Sequence, residues 1–257
     1  MAELKGQCVF VTGASSGIGA ATARAFAREG ARLILAARRL ERLTEISAEL
    51  KKAYGTESFC FALDVGQHKS VGAELEKLPE AWKAIDVLVN NAGLSRGLVK
   101  LHEGGFFDWD EMIDTNVKGL LAVSRTVIPW MLKRNRGHII NIGSIAGHEV
   151  YPNGNVYCAT KYAVRAISRG MKMDLHGTPI RVSSVDPGLA ETEFSLVRFR
   201  GDKERAAQPY KGVKPLTGED IAEAIVWCAN RPEHVDIIEM VIMPTAQSST
   251  TMVHREP

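Results

Sequence analysis

Between an apolar run at residues 7–12 and an alanine-rich stretch ending near Gly30 lies Thr12-Gly13-Ala14-Ser15-Ser16-Gly17-Ile18-Gly19. The run reads as a strand buried on both faces, and the alanine-rich stretch as a helix. Strand, glycine turn and helix in that order aim backbone N–H groups and a helix N-terminus at a phosphate. The glycines let the backbone turn and approach a ligand closely. The spacing is not G-x-G-x-x-G, and the Gly-Lys-Ser/Thr of a P-loop is missing, so the context of the turn carries the reading. It predicts a doubly wound α/β fold that binds a phosphate-bearing cofactor.

Further strands are expected at 32–37, 58–63, 86–89, 138–142, 180–185 and 237–243, with helices at 40–53 and 68–78 between the early ones. The second strand ends in Ala37-Arg38-Arg39, where a fold that prefers NAD would place an acid on the ribose 2′-hydroxyl. Guanidiniums take a 2′-phosphate bidentately, and an acid would repel it, so NADP (NADPH) is expected. Asn90-Asn91-Ala92-Gly93 follows the fourth strand, where ligands of such sheets bind. Residues 104–108 read as a loop, with Asp108 and Glu111 spaced as a capping box for a long helix through Met131. Thr217 with Asp220 opens an amphipathic helix reaching Ala229. The segment 194–208 reads as mobile over the site, and the tail from Gln247 as polar and poorly ordered.

Residues 155–170 carry apolar positions at helical spacing, which puts Tyr157 and Lys161 on one face. A phenol is a weak acid–base catalyst near neutrality unless a neighbouring cation favours the phenolate. Thirteen residues earlier, Ser144 sits at a strand's carboxyl end. The glycines around it, at 143 and 147, do not fit the nucleophile elbow of hydrolases, which leaves Ser144 as a hydroxyl able to hold a substrate oxygen.

At 257 residues, with 45% hydrophobic and 24% charged, the chain suits one large domain or two small ones. With no linker, low-complexity tract or repeat, one domain is expected: 1–246, with a substrate segment at about 189–214 and a tail at 247–257. A formal charge of +2 without a basic run argues against nucleic acid. No apolar run suggests a membrane span and no secretory signal is recognisable, so a cytoplasmic location is expected. Cys8, Cys60, Cys158 and Cys228 lack ligand or disulfide spacing, so no metal is expected and the cysteines are read as packing.

Thr12-Gly-x-x-x-Gly-x-Gly19, Asn90-Asn-Ala-Gly93, Asn116, Ser144, Tyr157-x-x-x-Lys161 and Pro187-Gly188 together resemble the short-chain dehydrogenase/reductase family over essentially the whole chain. The resemblance implies a Rossmann-type, seven-stranded parallel sheet of order 3-2-1-4-5-6-7, flanked by helices on both faces. It implies Tyr157 as general acid in reduction and base in oxidation, with Ser144 on the substrate oxygen. Lys161 would lower the Tyr157 pKa and bind the nicotinamide ribose, and Asn116 would support a proton relay. Cofactor contacts would come from Gly13, Ser15, Ser16, Gly17, Ile18, Gly19, Asp64, Val65, Asn91, Ala92 and Gly93. The nicotinamide loop would add Pro187, Gly188, Leu189 and Thr192. Homotetramers are usual in the family.

Within it, 110–119, 173–177, 191–198 and 243–247 are similar to the NADP-dependent 3-hydroxy acid dehydrogenase branch, and Gly104-Gly-Phe-Phe107 departs from it. An acid substrate needs a cation; Arg198 is the candidate, with Arg96 and Arg200 as the other cations considered. A neutral ketone or alcohol as substrate, or a redox sensor without turnover, are the rival readings.

Overall fold

The computed structural model describes residues 4–256; the first three residues of the expected domain and the last of the expected tail lie outside the described residues. Its parallel sheet has the order β3-β2-β1-β4-β5-β6-β7. The strands are β1 (Cys8–Thr12), β2 (Arg32–Ala37), β3 (Ser58–Ala62), β4 (Val87–Asn90), β5 (His138–Ile142), β6 (Arg181–Pro187) and β7 (Glu239–Ile242). Because successive side chains point to opposite faces, each strand feeds two cores. Val9, Val11, Leu33, Leu35, Val89 and Ile140 pack under α1 (Gly17–Arg28), α2 (Leu40–Tyr54) and α9 (Gly218–Ala229). Phe10, Ile34, Leu88, Ile139 and Val182 face the other way, under α3 (His68–Glu76), α5 (Leu120–Arg134) and α6 (Asn155–Asp174).

Small residues let α1 and α9 approach closely: Ala21, Ala25 and Ala222 form their own buried cluster. The expected capping box forms at α9, where Thr217 Oγ1 accepts from Asp220 N at 3.2 Å and Asp220 accepts from Thr217 N at 2.7 Å. Cys8, Cys158 and Cys228 are buried free thiols, and Cys60 is half-buried. Among the described residues no helix is long and apolar enough to cross a membrane.

Several expectations need correction. Residues 104–108 are not all loop, since α4 (Phe106–Ile113) begins at Phe106 with Gly105 at its N-cap. The Asp108/Glu111 box does not form, because stronger partners are available: Asp108 pairs with Arg200 and Glu111 with Arg96. Between α4 and α5 the chain opens into a π-helical stretch, Asp114–Gly119, that carries Asn116. Within the segment 194–208, for which no helix was expected, the chain forms α7 (Glu193–Arg198) and α8 (Lys203–Ala207). The tail is ordered through its partners: Gln247 Oε1 accepts from Leu189 N at 2.7 Å, Thr250 N donates to Glu149, and Glu256 N donates to Gly212 O at 2.8 Å.

Candidate active site

A cleft opens at the carboxyl ends of the strands, bordered by the β1–α1 turn, the ends of β2, β3 and β4, the β5 turn, α6 and the 187–197 segment. At the turn, Gly13 and Gly17 have φ of +66° and +52°, a region that favours glycine. A Cβ on Gly13 would lie 2.9 Å from Ala92 Cα, and one on Gly19 would collide with the Gly13 carbonyl. Those bare positions let the turn pack closely on Asn91 and Ala92, and the cradle it forms at the α1 N-terminus, lined by Gly13, Ser15, Ser16 and Gly17, is one that a phosphate fits.

Of the residues expected to hold a cofactor, Gly13, Ser15, Ser16, Gly17, Ile18, Arg38, Arg39, Asp64, Val65, Asn91, Ala92, Gly93, Pro187, Gly188 and Thr192 line the cleft. Gly19 and Leu189 do not: Gly19 is buried beneath the turn, and Leu189 is tied to Gln247. Asn91 has a job within the protein, since its Nδ2 donates to Thr12 O at 2.8 Å and Gly13 O at 3.2 Å. Arg38 is exposed, whereas Arg39 donates to Ser15 and Ser16.

Ser144, Tyr157 and Lys161 also line the cleft. Ser144 follows β5 in extended backbone; its Oγ accepts from Ala146 N at 3.1 Å and donates to Pro187 O at 3.3 Å. Lys161, 7% exposed, donates to Ile142 O at 2.8 Å. Burial pulls the Lys161 ammonium down to about 8, with Asp186 pulling the other way. Burial pushes the Tyr157 phenol well above its ordinary value; Tyr151 adds to that, while Arg198 and a Ser144 hydrogen bond oppose it. Lys161 Nζ stands 5.9 Å from the Tyr157 ring centroid and the Arg198 guanidinium carbon 5.1 Å, but the expected lowering of the phenol by Lys161 is not seen: burial outweighs it, and Arg198 is the cation that opposes burial.

Asn116 is 2% exposed and set behind the cleft. Its Nδ2 donates to Leu94 O at 2.8 Å and Thr160 Oγ1 at 3.0 Å, and its Oδ1 accepts from Leu94 N at 2.8 Å. It therefore pins the loop after β4 to α6. The π-helical turn is what swings this side chain inward, and neither periodicity nor composition signals such a turn.

Arg198 borders the site without lining the cleft. Its guanidinium lies over both Tyr157 and Phe194 and donates to Tyr151 OH at 3.0 Å, and its Nε is buried without a hydrogen-bond partner. Arg96 is committed to Glu111 and the Val197 carbonyl, and Arg200 to Asp108. Leu63, Leu94, Thr115 and Ile142 also line the cleft, though no expectation named them, and nothing in their sequence signals it. Ala190, Glu193, Phe194 and Val197 line it too, from within the segment expected over the site. Elsewhere, His148, Asp186 and Glu239 lie close together, but His148 hydrogen-bonds Asp186 and Glu239 pairs with Arg165 and Arg169, so each already has partners within the protein.

Comparison with known proteins gives this architecture its kin. The short chain dehydrogenase family model matches residues 7–201. The chain is 48% identical to the NADP-dependent 3-hydroxy acid dehydrogenase YdfG of Salmonella typhi over 249 residues, 96% of this chain and 99% of that one. It is 44% identical over 257 residues to the NADP-dependent 3-hydroxy acid dehydrogenase of Schizosaccharomyces pombe, 100% of this chain and 99% of that one. Among solved structures, the closed form of serine dehydrogenase complexed with NADP+ superposes with a TM-score of 0.90 at 45% identity, covering 97% of this chain and 100% of that one. With a cleft, a glycine cradle and a Ser-Tyr-Lys convergence at the carboxyl ends of the strands, the chain belongs to the short-chain dehydrogenase/reductase family of oxidoreductases.

Proposed function

We propose that this protein is an NADP-dependent oxidoreductase that interconverts small 3-hydroxy acids and their 3-oxo counterparts, of the serine, allo-threonine, 3-hydroxyisobutyrate and 3-hydroxypropionate type. The observation that carries the reading is the meeting of Ser144, Tyr157 and Lys161 in one cleft with the glycine cradle and Arg38/Arg39. The names of the relatives support the choice of cofactor and substrate class.

The cradle residues and the two arginines would hold NADP, with the arginines at the 2′-phosphate. Bound there, the cofactor supplies or accepts the hydride. Tyr157 donates its phenolic proton to the carbonyl oxygen in reduction and takes it back in oxidation. Ser144 hydrogen-bonds the same oxygen as charge develops on it. Lys161 presents positive charge to the phenol and the ribose side of the cleft. With both amide hydrogens committed, Asn116 contributes by fixing the Leu94 loop against α6. Arg198 meets the substrate carboxylate, a role that its unpartnered buried Nε supports.

The test follows NADPH and NADH absorbance at 340 nm with a panel of 3-hydroxy acids, their 3-oxo partners and neutral alcohols. Turnover confined to neutral substrates would overturn the acid reading, and none at all would favour a sensor. A homotetramer fits the outward placement of Ala159 and Ala166 on α6 beside exposed Tyr162 and Met173, and sedimentation would check it.

A further inference from the structure

Helix α7 is pinned along its length. Gly97 N donates to Arg198 O at 3.0 Å, Arg96 donates to Val197 O, and the Ser195 and Tyr210 hydroxyls share a hydrogen bond of 2.8 Å. Arg198, at the end of the helix, is thereby held over Tyr157 and Phe194, and among the described residues no carboxylate pairs with it. Its guanidinium donates from Nη2 to Tyr151 OH at 3.0 Å. Tyr151 is seated as firmly: its ring packs in one cluster with Tyr157 and Phe194 and lies against Gly154, where a Cβ would come within 2.1 Å of it. A phenol has a proton to give as well as lone pairs to accept with. The Tyr151 oxygen accepts from Arg198, and among the described residues nothing takes its proton. Burial raises the Tyr151 phenol above its ordinary value against the opposing charge of Arg198, so that proton stays on near neutrality.

We propose that Tyr151 is a specificity-determining residue that donates its hydroxyl proton to the substrate carboxylate while its oxygen holds Arg198, so that the two side chains form one clamp for an acid. The inference rests on the 3-hydroxy acid reading above. Two donors beside the reactive phenol lack an acceptor, the buried Arg198 Nε and the Tyr151 hydroxyl, and one of them is cationic. A carboxylate is the group that convergent donors of that kind match. The reach also fits. In a 3-hydroxy acid two carbon–carbon bonds of about 1.5 Å each join the carbinol carbon to the carboxylate carbon. A substrate whose oxygen rests on Ser144 and Tyr157 must therefore have its carboxylate met close to that phenol, and Arg198 and Tyr151 are the donors that border it. Accepting from a guanidinium polarises the Tyr151 hydroxyl and makes its proton a better one to give. A neutral substrate leaves both donors unmet, which is the discrimination.

Steady-state kinetics with a 3-hydroxy acid and its neutral methyl ester test this. Tyr151→Phe keeps the ring and removes the hydroxyl, and should raise KM for the acid roughly 10-fold while kcat for the acid and both constants for the ester stay within about 2-fold of the unaltered protein. The same change is then made on an Arg198→Gln background, where nothing is left for Tyr151 to hold. There it should still lower kcat/KM for the acid by roughly 3- to 10-fold and spare the ester. No further loss on that background would make Tyr151 a prop for Arg198 alone and overturn the proposal, as would equal losses on acid and ester in the single variant. If the unaltered protein turns over the ester as well as the acid, the 3-hydroxy acid reading itself fails.

Discussion

At the glycine-turn end of the cleft, Gly13, Ser15, Ser16 and Gly17 come from a single turn, and Arg38 and Arg39 from the strand paired beside it. At the other end, the loop after β4, α4, Tyr151, Tyr157 and α7 meet from distant parts of the chain, through contacts such as Gly97 N to Arg198 O and Arg200 to Asp108. The first end is specified by local backbone demands. The second exists only once the fold has brought its parts together, so its residues can vary without disturbing the sheet. On the reading proposed above, cofactor binding belongs to the first end and substrate choice to the second.

The sharpest challenge to this division falls where the ends meet. Tyr157→Phe removes one hydroxyl at a buried position and should lower kcat by about 10²- to 10⁴-fold, with melting temperature little changed. Steady-state assay with a calorimetric melt would check both. A comparable loss of folding would mean that Tyr157 is chiefly structural. At the substrate end, Arg198→Gln should reduce kcat/KM for a 3-hydroxy acid by about 10- to 100-fold and leave its neutral methyl ester nearly unaffected. Equal losses on both would remove Arg198 from substrate recognition. At the other end, Arg38→Ala should lower kcat/KM with NADPH by about 10-fold and spare NADH. A variant that lost both equally would show Arg38 acting on something other than the phosphate.

Smaller effects fall on stability. Lys161 titrates near 8 in the folded protein against an ordinary 10.5, so the unfolded chain holds its proton more tightly in that window. The cost of burying the ammonium is fully present below pH 8 and disappears as pH rises towards 10.5. Lys161→Met should therefore abolish activity yet melt a few degrees higher at about pH 7, an advantage that shrinks at about pH 10. Thr217→Ala, at a residue that does not line the cleft, should cost about 1 kcal/mol, roughly 2–4 °C in Tm, without changing kcat.

The sheet was legible because buried parallel strands write themselves as apolar runs, and the turn between β1 and α1 because glycine is required there. Helical spacing put Tyr157 and Lys161 on one face, but it took the family resemblance to single them out with Ser144, since spacing alone does not say what a shared face is for. The capping box at 108–111 misled because its members found cations contributed by other segments, and spacing is blind to those. Residues 194–208 gave no helix signal because α7 and α8 are too short to show a period. Arg198 could be singled out as a cation, but its stacking against Tyr157 depends on α7, and so does the placement of Glu193.

The bond from Leu189 to Gln247 makes the segment around Gln247 a strut for the loop that follows β6. A tag or truncation that pulls Gln247 away would unbrace the backbone beside Pro187 and Gly188, so damage done near the end of the polypeptide would be felt as a fault in the cleft.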